Sequence, residues 1–169
     1  MSRPTAAVAG PADRRAVADL RSRVFVDEQG VPPEIEQDDA DAGAVHVISR
    51  AHDGRVVATG RLLITPGSTT ATIGRMAADA AVRGGGHGAA VLAELQRQAA
   101  ARGITEIELH AQLRARGFYE RAGYVAVGEQ YTEAGIAHIT MRRVLPPPGG
   151  ADVTDRSGES TTRPVRPAE

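Results

Sequence analysis

Val82-Arg83-Gly84-Gly85-Gly86-His87-Gly88-Ala89 is the stretch of this chain whose residue types point most directly to chemistry. Four glycines within five positions leave the backbone amides uncovered, and the residues that follow have helical spacing. A helix start carries unpaired N–H groups and a partial positive charge, so an anion placed there gains several hydrogen bonds without any lysine. Arg83 adds a charge-assisted contact, and the segment reads as a phosphate or pyrophosphate cradle. An isolated glycine cluster is also read as a flexible turn, but its place before a helix favours the cradle. Gly84-x-Gly86-x-x-Ala89 fits a relaxed dinucleotide fingerprint as well, with Glu106 or Glu108 about 20 residues on. That alternative needs the loop to follow its strand almost directly and needs repeated parallel units. Residues 77–82 intervene here, and the chain is short.

Other reactive groups are few. There is no cysteine, which removes disulfide frameworks, thiolate metal sites and a cysteine nucleophile. All twenty basic residues are arginine, so Schiff-base chemistry and the phosphate-loop lysine of NTPases are excluded. The five histidines lack metal-ligand spacing. Asp39-x-Asp41-x-Gly43 begins like a calcium loop, but the position that needs a bidentate glutamate is Arg50. No metal is expected.

The elements that must position these groups follow from pattern. Residues 5–8 form a strand candidate. Pro11-Ala12-Asp13 opens a helix to about Asp27, with Val17, Leu20, Val24 and Phe25 on one face. Residues 44–51 and 55–65 are β-rich runs around the hairpin signal Asp53-Gly54, and 70–78 is a further strand. Val91, Leu92, Leu95 and Ala99 place a helix over 88–102, ended by Gly103 and followed by a strand over 104–110. A short helix over 113–122 is closed by Gly123, and strands over 124–131 and 135–144 flank Glu133-Ala134-Gly135. The order β-α-β-β-β-α-β-α-β-β implies a mixed sheet with helices packed on it.

With 169 residues, one domain over 1–145 is expected. Residues 146–169 hold half of the ten prolines and no aromatic residue, and they read as a disordered Pro/Gly-rich tail. A formal net charge of -1 gives no overall pull toward nucleic acid or an anionic membrane, so neither is an expected partner. No apolar run has signal-peptide or membrane-span length, which makes a cytoplasmic location the expectation.

The loop resembles the acetyl-CoA loop of the GCN5-related N-acetyltransferase (GNAT) superfamily, Arg or Gln-x-x-Gly-x-Gly or Ala, met as Arg83-Gly84-Gly85-Gly86-His87-Gly88. Downstream, Gly117-Phe118-Tyr119-Glu120-Arg121-Ala122-Gly123-Tyr124 is similar to the family's Phe-Tyr-Glu-x-x-Gly-Phe/Tyr segment. Val24-Phe25-Val26-Asp27-Glu28-Gln29-Gly30, Ile73-Gly74-Arg75-Met76-Ala77, Ala111-Gln112 and Gly135-Ile136-Ala137-His138-Ile139-Thr140-Met141 resemble the bacterial ElaA-like subgroup. The resemblance spans about 5–145. It implies an α/β fold with a mixed, mostly antiparallel twisted sheet of about seven strands, flanking helices and a splay between strands 4 and 5. It further implies acetyl-CoA as co-substrate in that gap, held by residues 83–89 with Gln112 and Phe118, and polarised by backbone amides of Met76, Ala77 and Ala78. Tyr119 matches the family's general acid, since a phenol of pKa about 10 is protonated at neutral pH and can protonate a thiolate. His138 is the candidate base, with Glu28, His46 and His110 as further candidates around the acceptor.

The expected reaction is acetyl transfer to a primary amine, a small molecule rather than a protein tail, by direct attack in a ternary complex. The alternative is an acyl-CoA-binding module without catalysis. Seven carboxylates and no arginine over 27–49 read as a solvated loop, or else as an acidic rim for a cationic amine. The oligomeric state stays open, a homodimer included.

Overall fold

Alternating apolar runs make seven strands here: β1 (Ala6–Val8), β2 (Val45–Arg50), β3 (Val56–Ile64), β4 (Thr70–Ala78), β5 (Glu106–Gln112), β6 (Val125–Glu133) and β7 (Ile136–Val144). In this computed structural model, which describes residues 2–147, they form one sheet in the order β1-β2-β3-β4-β5-β7-β6. The tail expected from 146 therefore lies, from 148 on, outside the described residues. Every neighbouring pair is antiparallel except β4 with β5. A doubly wound dinucleotide fold needs a run of parallel units, so the alternative raised by the glycine fingerprint lacks its scaffold.

Turn chemistry sets the hairpins. At the β6–β7 connection Ala134 and Gly135 have φ of 50° and 76°, the two left-handed residues of a type I′ turn. Asp53-Gly54 joins β2 to β3, with Gly54 at φ 86°.

Two apolar layers cover the two faces. The helix α3 (His87–Ala101) buries Val91, Leu92, Leu95 and Ala99 against Ala58, Leu62, Ile73 and Leu109. Each fully buried Val, Leu or Ile side chain of this set contributes roughly 1.5–3 kcal/mol. On the other face α1 (Arg14–Arg21) and its continuation Ser22–Glu28 bury Val17, Leu20, Val24 and Phe25 against Ile48, Val56 and Ala77. The continuation is wound wider, with π-type turns, and Gly30 at φ 72° ends it. The predicted single helix over 11–27 is thus a short 3₁₀ turn, an α-helix and a π segment. Two short helices complete the chain: α2 (Pro33–Glu36), which periodicity did not reveal, and α4 (Arg116–Arg121).

β4 carries the irregularity that opens the molecule. Its pairing with β3 shifts register between Thr59 and Arg61, and Arg75 opposite takes φ 52°. Before this bulge the odd residues Ala71 and Ile73 face α3; after it the even residues Met76 and Ala78 pack on that side, while Ala77 joins the α1 layer. Gly60 lies under the bulge, where a Cβ would come within 2.5 Å of Met76 Sδ and 2.7 Å of Leu95 Cδ1. The parallel pairing of β4 with β5 runs only from Thr70–Glu106 to Ile73–Leu109. Beyond it the two strands part, which is the expected splay.

Candidate active site

The parted strands floor a cleft of about 620 Å³. Its walls are the end of β4, the π segment and α2 on one side, and the ends of β5 and β7 with α4 on the other. Met76, Ala77, Ala78, Arg83, Gln112, Tyr119, His110 and His138 all line it. Phe118, Glu28, His46 and residues 84–89 do not; the cleft reaches the glycine loop at Arg83.

Strand alternation orients the peptide groups at the β4 end. Asp79 N–H donates to Val57 O on β3 at 2.8 Å, so the N–H and C=O of Ala78 point the other way, into the gap. The carbonyl accepts Arg83 Nε at 3.1 Å. Arg83 also donates to Glu28 Oε2 at 2.7 Å, so Glu28 pairs with the arginine of the glycine loop and not with the cleft.

The loop itself is a sequence of turns. Gly84 and Gly86 take φ of 82° and 94°, and Gly86 caps α3 with its carbonyl accepting Ala90 N–H. Gly85 N–H is already donated to Val82 O at 3.0 Å, and a Cβ at Gly85 would lie 3.0 Å from that oxygen. The free donors of the helix start are therefore the N–H groups of His87, Gly88 and Ala89. The His87 side chain turns inward: Ser49 Oγ donates to Thr5 O at 2.8 Å and accepts from His87 Nδ1 at 2.7 Å, which ties α3 to β2 and β1. Gly88 lies beside Phe118, whose ring meets Tyr119 edge-on with centroids 5.0 Å apart.

Tyr119 is 7% exposed and packs edge-on against Tyr124. Burial pushes its phenol well above the ordinary tyrosine value, so it holds its proton far into the alkaline range. Across the cleft, His138 is 9% exposed on β7, opposite Gln112 and Tyr131. Its Nδ1 donates to Ile136 O at 2.7 Å and its ring stacks on Tyr131, and among the described residues Nε2 has no hydrogen-bond partner. His110 is engaged on both sides, with Nδ1 on Tyr131 Oη at 2.6 Å and Nε2 3.6 Å from Glu108. Gln112 Nε2 donates to Gln29 Oε1 at 2.7 Å and so links β5 to the residue after the π segment.

The acidic stretch after Asp27 departs from the solvated loop favoured by composition. Glu36 is buried and paired with the equally buried Arg21, which also holds Asp41. Arg61, 5% exposed on β3, binds Asp38 through both terminal nitrogens and Asp41 through one. Arg75, raised by the bulge, donates to the carbonyls of Glu36 and Ile35 and to Asp38. His46 Nε2 binds the Asp41 carbonyl at 2.9 Å, a role in anchoring this segment and not in the cleft. Hydrogen bonds from Arg61 lower the Asp38 carboxyl to about 2, against an ordinary 3.8. Three arginines and three carboxylates thus form one closed cage. Sequence reasoning missed it because each arginine comes from a different element.

Comparison with known proteins accounts for this geometry. Residues 11–145 match the model of an acetyltransferase (GNAT) domain. The uncharacterized N-acetyltransferase YjcF of Bacillus subtilis is 32% identical over 126 residues, covering 73% of this chain and 87% of that protein. An acyl-CoA N-acyltransferase structure from Pseudomonas aeruginosa superposes with a TM-score of 0.69 at 36% identity, covering 83% of this chain and 99% of that one. Escherichia coli ElaA superposes with a TM-score of 0.72 at 26% identity, again over 83% of this chain and 99% of that one. The overall fold is shared with these structures, and this chain belongs to the GCN5-related N-acetyltransferase superfamily as an N-acetyltransferase.

Proposed function

We propose that the chain moves an acetyl group from acetyl-CoA to the nitrogen of a small primary amine by direct attack, with both substrates bound together. One observation carries this: a single cleft is bounded by Arg83 at the helix start, the inward peptide of Ala78, a buried phenol and a buried imidazole. When bound, acetyl-CoA supplies a thioester carbonyl and a thiolate leaving group. Arg83 and the N–H groups of Gly84, Gly86, His87, Gly88 and Ala89 hold its pyrophosphate, while Gly85 shapes the turn. The peptide N–H of Ala78, with that of Met76 two residues earlier, offers hydrogen bonds to the negative charge that develops on the carbonyl oxygen, whereas that of Ala77, expected to join them, lies on the β3 side of the strand. His138 Nε2 takes a proton from the ammonium and the freed amine attacks the carbonyl carbon. As the C–S bond breaks, Tyr119 Oη protonates the sulfur, the second proton lost by the nitrogen restores the phenol, and His138 gives its proton up to solvent. Phe118 packs beside Gly88, and Gln112 keeps the β5 end in place.

Tyr119→Phe keeps the ring and removes the proton. Turnover, followed by thiol release, is expected to fall about 10²–10⁴-fold while thermal stabilisation by coenzyme A persists. Unchanged turnover removes Tyr119 as the acid. With no cysteine to carry an acyl group, initial-velocity lines are expected to intersect; parallel lines would instead reveal a covalent acyl-enzyme.

A further inference from the structure

The arginine–carboxylate cage decides what kind of amine the cleft takes. Seven carboxylates near an amine site suggest a sink for polycations, but Glu36, Asp38 and Asp41 are each matched by Arg21, Arg61 and Arg75. The charged side chains that line the cleft are Arg61, Arg75, Arg83 and Arg114 against Glu36 and Glu133. Of the two carboxylates, Glu36 is committed to Arg21, while Glu133 has no ion-pair partner among the described residues. Away from Arg83, the wall is made by Val24, Phe25, Val31, Ile35, Leu63 and Ile136. Ile35 stands out as 53% exposed, a large apolar side chain left at the mouth. Arg75 grips the carbonyls of Ile35 and Glu36, so the cage holds this apolar side chain at the opening.

Resting on the acetyl-transfer reading above, we infer that the acceptor is a monoamine with an apolar body, an alkyl or arylalkyl amine. One ammonium meets Glu133 and the imidazole of His138, and the rest of the molecule displaces water from the six apolar side chains. A second or third ammonium would face arginines and aliphatic surface, which disfavours polyamines and basic peptide tails.

The test is a series of straight-chain amines from ethylamine to hexylamine, with 2-phenylethylamine, spermidine, glycine and a lysine peptide alongside, each measured for kcat/KM by thiol release. Burial of one methylene predicts a rise of about fourfold per added carbon until the pocket is filled. Spermidine, glycine and the peptide should fall at least tenfold below hexylamine. In Ile35→Asp the slope along the series should flatten while the KM for acetyl-CoA is kept. A flat or falling series, or faster turnover of spermidine, glycine or the peptide, overturns the inference and leaves acetyl transfer standing. Thiol release with none of these amines, in a protein still stabilised by acetyl-CoA, overturns both.

Discussion

The two ends of the cleft are built on opposite plans. Beyond Arg83 the surface is backbone, with glycines in left-handed turns leading into the helix start. At the other end the wall is hung from side chains, three arginines drawn from α1, β3 and the β4 bulge gripping a segment of two short helical turns. A backbone cradle is rigid and indifferent to the identity of its neighbours, which suits a donor with a constant pyrophosphate. A wall suspended from ion pairs depends on the side chains that hold it and is open to change without rebuilding the sheet.

Changes that strike one end and spare the other sharpen this contrast. Arg21→Met removes the partner of Glu36, and both side chains are about 5% exposed. An orphaned buried carboxylate costs about 3–5 kcal/mol, so the urea midpoint should drop markedly, while acetyl-CoA still stabilises the folded protein. Loss of acetyl-CoA binding along with stability would mean that the two ends are not separable. Gly86→Ala puts a Cβ on a residue at φ 94°, at a cost of about 1–2 kcal/mol. The expected result is a roughly tenfold rise in the KM for acetyl-CoA and little change in the ranking of amines; a reordered ranking would contradict it.

Asp38 tests the cage by pH. Its folded-state carboxyl titrates at about 2, below the ordinary 3.8, because Arg61 donates to it. The folded chain therefore binds this proton more weakly than the unfolded chain. The stabilisation is complete above pH about 4 and is lost as pH falls toward 2. The difference in unfolding midpoint between the wild type and Asp38→Asn should shrink across that window, and a difference independent of pH would remove the ion pair as its origin. The smallest effect belongs to Glu28→Gln. Freed from its 2.7 Å contact, Arg83 should bind acetyl-CoA better and lower its KM by up to about fivefold, the ceiling for a surface pair. An unchanged or higher KM would show that Glu28 positions Arg83 instead of competing for it.

The same contrast explains what was legible in the chain. The helix start could be read because its signal is local, eight consecutive residues whose spacing carries the meaning. The succession of strands along the chain followed from alternation and from turns such as Asp53-Gly54. The cage was opaque because its partners are 15 to 40 residues apart, as in Arg21 with Glu36 and Arg75 with Ile35. Carboxylates in a row look alike whether water or guanidinium surrounds them. Helix α2 spans only four residues, too few for a period to show, and its opening Pro32-Pro33 reads as loop. Arg75 gave no hint of φ 52°, since a left-handed arginine is dictated by the strand it bulges from and not by its own preference.

That bulge amounts to a frameshift in the strand. Up to Ile73, β4 is read in one frame, and after Arg75 every side chain and every peptide is read in the other. Delete one residue from 74–76 and the step is gone: Ala77 stays opposite Thr59, but no residue is left to turn outward as Arg75 does toward Ile35 and Glu36. One extra residue, inserted where β4 would otherwise keep step with β5, is what separates a closed sheet from one with an interior to work in.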